Sequence, residues 1–131
     1  MRDYPYWEKS DFVYRVDLKP EATLLGFSNK GLRKLSVNNP KGAIELPQYD
    51  YFGRKVTTVE EYAFYGIENL REIRGGFKNI EIIQSRAFAK TRLSDIGTDW
   101  GNVRFISDGA FLGCRLRRIP DDWNKVEEVE A

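Results

Sequence analysis

VTTVEEYAFYGIENLREIRGGFKN (residues 56–79), IEIIQSRAFAKTRLSDIGTDWGN (80–102) and VRFISDGAFLGCRLRRIPDDWNK (103–125) are three versions of one phrase, and VEEV (126–129) begins a fourth. Val59, Ile83, Ile106 and Val129 follow one another at steps of 24, 23 and 23 residues. The Ala-Phe pairs Ala63-Phe64, Ala87-Phe88 and Ala110-Phe111 keep steps of 24 and 23, while Leu70, Leu93, Leu116 and Ile73, Ile96, Ile119 step by 23. A fixed step carried by apolar positions, with polar variation between them, marks a stacked repeat in which each unit buries its apolar face against the next.

Within one repeat the opening strand is short and apolar at both ends, as in Val56 to Val59. The second position, Thr57, Glu81, Arg104 and Glu127 in successive repeats, is expected to face water. Alanine of the Ala-Phe pair suits a place where the next backbone approaches closely, and Phe64, Phe88 and Phe111 are expected to stack as a buried column. Ile67, Thr91 and Cys114 occupy one position, which makes the chain's single cysteine a small, inert core residue. A second extended piece carries Leu70 and Ile73 and their equivalents. Phe77, Trp100 and Trp123 close the repeat, again at a step of 23. That column is either an aromatic ladder closing one edge or an exposed stacking platform for sugar rings or a partner's side chains.

The upstream region, residues 1–55, shares no step with this array and is read as its N-terminal cap, since a first repeat left uncovered would expose an apolar end face. Tyr4, Tyr6 and Trp7 are expected to pack on the body. DFVYRVDL, from Asp11, alternates as a half-buried strand through Phe12, Tyr14 and Val16, and Ala22 to Phe27 reads as a second strand bent at Gly26. Ser28 is the expected N-cap of a short helix ending near Val37, with Leu32 and Leu35 on one face and Gly31 weakening it. Ala43 to Leu46 is a third strand, and QYDYFGRK a turn-rich loop delivering the chain to the first repeat.

At these residues the chain resembles the BspA-type leucine-rich repeat family of bacterial surface and secreted proteins, whose unit runs V-x-x-I-x-x-x-A-F-x-x-C-x-x-L-x-x-I. VRFISDGAFLGCRLRRI is the fullest copy; the other two carry Thr91 or Ile67 at the cysteine position. GAIELPQYDYFGRKVT also looks like the lead-in to such arrays. The resemblance implies an α/β-poor, mainly β solenoid: a right-handed array of about three and a half 23-residue coils (56–79, 80–102, 103–125 and a partial 126–131) behind a β-rich cap with one short helix. It also implies a cell-surface or secreted location and an adhesion or protein-binding role.

Composition agrees with one water-exposed domain. Of 131 residues, 41% are hydrophobic and 31% charged, and 21 basic residues against 20 acidic give a net charge of +1, which supplies no field for nucleic acid or an anionic membrane. No apolar run reaches the roughly 18 residues of a membrane span, and MRDYPYWEKSD lacks the apolar centre of a secretory signal. Histidine is absent and Cys114 is alone, which removes the usual metal sets and His-assisted nucleophiles. The adjacent carboxylates Glu60-Glu61, Asp121-Asp122 and Glu127-Glu128 sit where neighbours point to opposite faces, so no acid pair is expected, nor any cofactor, metal or catalytic residue.

Binding is therefore the expected role, with a protein or glycan as partner, or else that of a structural spacer within a larger surface protein. The column Thr58, Ile82, Phe105 and Glu128 runs beside the polar one, and two of its members are apolar outside the repeating pattern. Either Ile82 and Phe105 pack on flanking loops, or, with Glu81 and Arg104, they form the candidate contact surface. VEEVEA opens a strand with nothing after it. The chain is therefore either cut from a longer array or guarded there by Glu127, Glu128 and Glu130, with a dilute-solution monomer and possible end-to-end contacts in both cases.

Overall fold

The computed structural model describes residues 10–37 and 39–117, and of residues 128–129 the backbone. Expectations for Tyr4, Tyr6, Trp7, Ile119, Trp123, Val126 and Glu127 lie outside the described residues.

In chain order the elements are β1 (Phe12–Tyr14), β2 (Ala22–Phe27), α1 (Asn29–Ser36), β3 (Ala43–Glu45), β4 (Val56–Val59), β5 (Glu72–Gly75), β6 (Ile82–Ile83), β7 (Phe105–Ile106) and β8 (Glu128–Val129). They form a six-stranded sheet in the order β1-β2-β4-β6-β7-β8 and a two-stranded sheet of β3 and β5. Among the described strands only the β1–β2 pair is antiparallel. All other pairs are parallel. Val59 stands opposite Ile83, Ile83 opposite Ile106, and Ile106 opposite Val129, so the 23-residue step is the pairing register itself. Of the fourth strand expected at Val126 to Val129, Glu128–Val129 is present as β8.

Strands this short cannot hold a repeat by themselves, and the turns after them add a second ladder. Tyr62, Phe64 and Gly66 donate their amides to the carbonyls of Ser85, Ala87 and Ala89; Arg86, Phe88 and Lys90 donate to Asp108, Ala110 and Leu112. Six residues thus pass their hydrogen bonds to the next repeat, at 2.7 to 3.2 Å. The turn requires positive φ at two places four residues apart: Tyr62 and Gly66, Arg86 and Lys90, Gly109 and Gly113. Only the third repeat has glycine at both.

Under the turns lies the aromatic column. Phe64 and Phe88 stack with centroids 5.1 Å apart, Phe88 and Phe111 at 5.3 Å, both pairs 5° from parallel. Phe27 of β2 meets Phe64 edge-on at 5.0 Å. Phe64 and Phe88 are buried and Phe111 half-buried.

The strands upstream of Val56 continue both sheets of the array. β2 pairs with β4, Leu24 facing Val59, and β3 pairs with β5, Ile44 facing Ile73. Leu24 and Val59 stand 35 residues apart in sequence, not 23, with α1 between them; Ile44 and Ile73 stand 29 apart, with the loop 46–55 and β4 between them. Ser28 caps α1 by accepting the Gly31 amide at 3.1 Å, as its sequence foretold.

Two local expectations are corrected. Leu32 is exposed, and the buried partner of Leu35 is Gly31, where a Cβ would collide with the carbonyl oxygen of Asp11. The same glycine that weakens the helix permits it to lie against Asp11 and the Phe27 ring. Val16 is not part of β1: the strand ends at Tyr14 and Val16 is 97% exposed on the following loop.

Phe88, with stacked rings on both sides, is the position where truncation should cost most. Phe88→Ala is expected to lower the unfolding free energy by about 3–5 kcal/mol in urea titrations. Gly66, at φ +75° with no atom within 4 Å of an added Cβ, isolates backbone strain. Gly66→Ala is expected to cost about 1 kcal/mol, the left-handed penalty less the entropy alanine removes from the unfolded chain.

Candidate interaction surface

The parallel pairing sets the positions after each strand start side by side. The Glu81 amide donates to the Thr57 carbonyl at 2.8 Å, and the Arg104 and Phe105 amides donate to the Glu81 carbonyl at 2.8 and 3.2 Å. One column therefore reads Thr57, Glu81, Arg104. The next, from the strand register, reads Thr23, Thr58, Ile82, Phe105 and Glu128.

Ile82 and Phe105 face each other on adjacent strands and are both half-buried, beside half-buried Glu81 and exposed Arg104. The structure thus brings together the four residues singled out as a contact surface. The polar column does not face water throughout: Thr57 is buried. It lines a groove of about 520 Å³ together with Glu21, Lys55, Glu81, Asn102 and Arg104.

Asn79 and Asn102, one repeat apart, brace the rim of this groove. Asn102 Nδ2 donates to the Lys78 carbonyl at 2.6 Å and Asn79 Nδ2 to the Gln48 carbonyl at 3.4 Å. At the groove's other end the Ala22 amide donates to the Lys55 carbonyl at 2.7 Å, which holds Glu21 near Lys55.

An ion cluster fixes that end. Arg54 Nε donates to Asp50 Oδ2 at 2.7 Å and Arg54 Nη1 to Asp17 Oδ1 at 2.6 Å and the Lys19 carbonyl at 2.9 Å. Asp50 Oδ1 also accepts the amides of Phe52 and Arg54 at 3.0 and 2.8 Å. Burial opposes the Asp50 charge, but the Arg54 guanidinium and the two amides outweigh it and hold the carboxyl below the usual carboxylate range. The Arg54 hydrogen bond does the same for Asp17. Sequence reading missed this clamp, because Asp17 and Arg54 are 37 residues apart and neither lies in the repeat. It also holds together the loops that carry the exposed side chains of Leu18 and Phe52.

The aromatic column is not a platform at its described members. Phe77 is 1% and Trp100 0% exposed; their rings stack at 4.0 Å, and Trp100 Nε1 donates to the Ile96 carbonyl at 2.9 Å. The strict step put them where the interior needs filling, and the indole N–H is satisfied inside. Trp123 lies outside the described residues. Cys114 Sγ donates to the Phe88 carbonyl at 3.1 Å and lies 3.2 Å from Thr91 Oγ1; burial pushes its thiol pKa up, so it is held protonated. Among the described residues no group of three His, Cys, Asp or Glu side chains is placed to hold a metal ion, and no helix is long and apolar enough to cross a membrane.

Residues 41–129, more than half of the chain, match the family described as BspA type leucine-rich repeat region (6 copies). The chain belongs to this family. The match begins upstream of Val56, so the BspA-type region takes in β3, in keeping with the pairing of β3 on β5. No curated protein and no solved structure matches the chain.

The Asp50 and Asp17 pKa values are lowered on folding, so the stability they contribute is present above the ordinary carboxylate range and is lost as pH falls through their depressed values. Asp50→Asn is expected to be less stable at neutral pH and to lose less on further acidification below about pH 4 than the parent chain, both read from urea midpoints.

Proposed function

We propose that this chain is a non-catalytic interaction module of a bacterial surface or secreted protein, coiled as a right-handed solenoid, that binds a protein or glycan through the Ile82 and Phe105 face. Membership of a leucine-rich repeat family supports an interaction role, because such repeats generally mediate protein contacts. The observation that carries the choice of face is the side-by-side pair Ile82 and Phe105, two apolar side chains outside the repeat's own pattern, flanked by Glu81 and Arg104. Aromatic and arginine side chains dominate contact energy, and acidic neighbours restrict which partners are admitted. The backbone beneath them is held by ladder hydrogen bonds on both sides, so little ordering is required on binding.

The test is a surface-binding screen against purified extracellular matrix proteins and immobilised oligosaccharides. It compares the parent chain with Ile82→Thr/Phe105→Thr, which places a strand-favouring β-branched residue at both positions. The double variant is expected to remain folded by circular dichroism and to bind at least about tenfold more weakly. A parent chain that binds nothing in the panel, or a variant that binds as well, contradicts this reading and favours a spacer within a larger surface protein.

A further inference from the structure

The extended segment that follows each Ala-Phe turn carries a charge pattern of its own. Leu70 and Leu93 are buried and Leu116 is half-buried, so the residues flanking each of them point outward. The flanking pairs are Asn69 and Arg71, Arg92 and Ser94, Arg115 and Arg117. Backbone hydrogen bonds bring them level. The Arg92 amide donates to the Leu70 carbonyl at 3.0 Å and the Arg115 amide to the Leu93 carbonyl at 2.8 Å; the Ser94 amide donates to the Arg71 carbonyl at 2.9 Å and the Arg117 amide to the Ser94 carbonyl at 3.1 Å. Segments joined in this way lie about 4.8 Å apart, and same-face neighbours along one segment about 6.7 Å, so the six side chains share a patch of about 10 by 7 Å.

Four of the six are arginine and none is acidic. All four arginines are exposed. Elsewhere Arg15, Arg54, Arg74 and Arg86 are each paired with a carboxylate, whereas among the described residues no carboxylate stands within ion-pair distance of Arg71, Arg92, Arg115 or Arg117. The acids next along the chain are engaged outside the patch: Arg74 holds Glu72 at 3.3 Å, and Asp95 Oδ1 accepts the Gly97 amide at 3.0 Å. In a chain of net charge +1, four like charges held together without counter-charges make a local field that favours an anionic partner.

Arginine takes up a carboxylate, sulfate or phosphate through two parallel hydrogen bonds from its planar fork. The size of the patch selects among these. A linear polyanion gains its affinity by releasing counterions along its length, and four contacts within about 10 Å release few; a longer stretch would run onto exposed Glu68 and Asp95. Single-stranded nucleic acid also requires aromatic rings to stack on, and the six positions hold none. A protein partner asks for less. A few carboxylates on one loop or tail fill the patch, and arginine is among the side chains that carry most of the energy at such contacts.

We infer that Arg71, Arg92, Arg115 and Arg117 dock a short acidic segment of a partner protein. This surface lies on the segments after the Ala-Phe turns, whereas Ile82 and Phe105 lie on strands before them, so it is a second contact site and does not rest on the first.

The experiment titrates the full chain, isotopically labelled, with a peptide of alternating glutamate and serine while backbone amide and arginine Nε–Hε resonances are recorded. Saturable shifts are expected at Arg71, Arg92, Arg115 and Arg117, with none from the glutamine-serine counterpart. Arg92→Gln/Arg115→Gln is expected to weaken binding at least about tenfold with the unliganded spectrum otherwise unchanged, since both side chains are exposed. Lys19→Gln/Lys78→Gln, which removes the same charge elsewhere, is expected to bind as the parent chain does. Absence of shifts at millimolar peptide overturns the inference, as does equal weakening by these two variants. A heparin oligosaccharide or an oligothymidine that shifts the same resonances at lower concentration than the peptide assigns the patch to a linear polyanion and overturns it. Shifts there on dilution of the chain alone assign it to a second copy, with the same result. If Ile82→Thr/Phe105→Thr abolishes peptide binding that Arg92→Gln/Arg115→Gln leaves intact, the peptide sits on the strand face: this inference falls and the proposed face stands.

Discussion

Two parallel ring contacts, Phe64 on Phe88 and Phe88 on Phe111, set the distance at which one repeat can stack on the next. Everything else in the array has to agree with that distance. The strands contribute two to four residues each, and the turns above the rings hand their amides to the following repeat with the same spacing. A residue inserted between an Ala-Phe pair and the preceding strand would move the ring out of the column and break both ladders together. The one 24-residue step places its extra residue elsewhere: Val59 and Ala63 keep the same separation as Ile83 and Ala87.

The same constraint makes the surface. Positions at and just before the strand starts are brought level by the pairing, so residues with no relation in sequence except the step become neighbours in a row. Thr57, Glu81 and Arg104 are such a row, and Ile82 beside Phe105 another. The repeat fixes where these side chains stand but leaves their identity free, as their change of type from one repeat to the next shows. Variation at those positions is what lets one scaffold carry a specific surface. The Asp17, Arg54 and Asp50 clamp serves this indirectly, by holding the loop from which Lys55 and β4 emerge.

What was legible in the sequence is what repeats. The apolar columns, the phenylalanine stack and the fourth strand follow from positions 23 residues apart, because burial against an identical neighbour demands identical spacing. The N-terminal strands were legible one by one, but not as members of the same sheets: 35 residues between Leu24 and Val59 conceal a pairing that 23 would have announced. Trp100 was readable as either interior or platform, since an aromatic residue serves both and only burial separates them. The burial of Thr57 was not legible, because Glu21 and Lys55, which line the same groove, lie outside any period. Long-range polar contacts such as that of Arg54 with Asp17 leave no periodic trace.

Amide hydrogen exchange tests the central claim most directly. Residues 61–66 and 85–90 are turns, and turns exposed to solvent exchange quickly. If the aromatic stack and the ladder above it hold the repeats together, the amides of Phe64, Gly66, Phe88 and Lys90 should be among the slowest in the chain. They should also share one opening free energy with the amides of Glu81 and Arg104 just before β6 and β7. Fast exchange at these turn amides, with protection confined to the strands, would contradict the account.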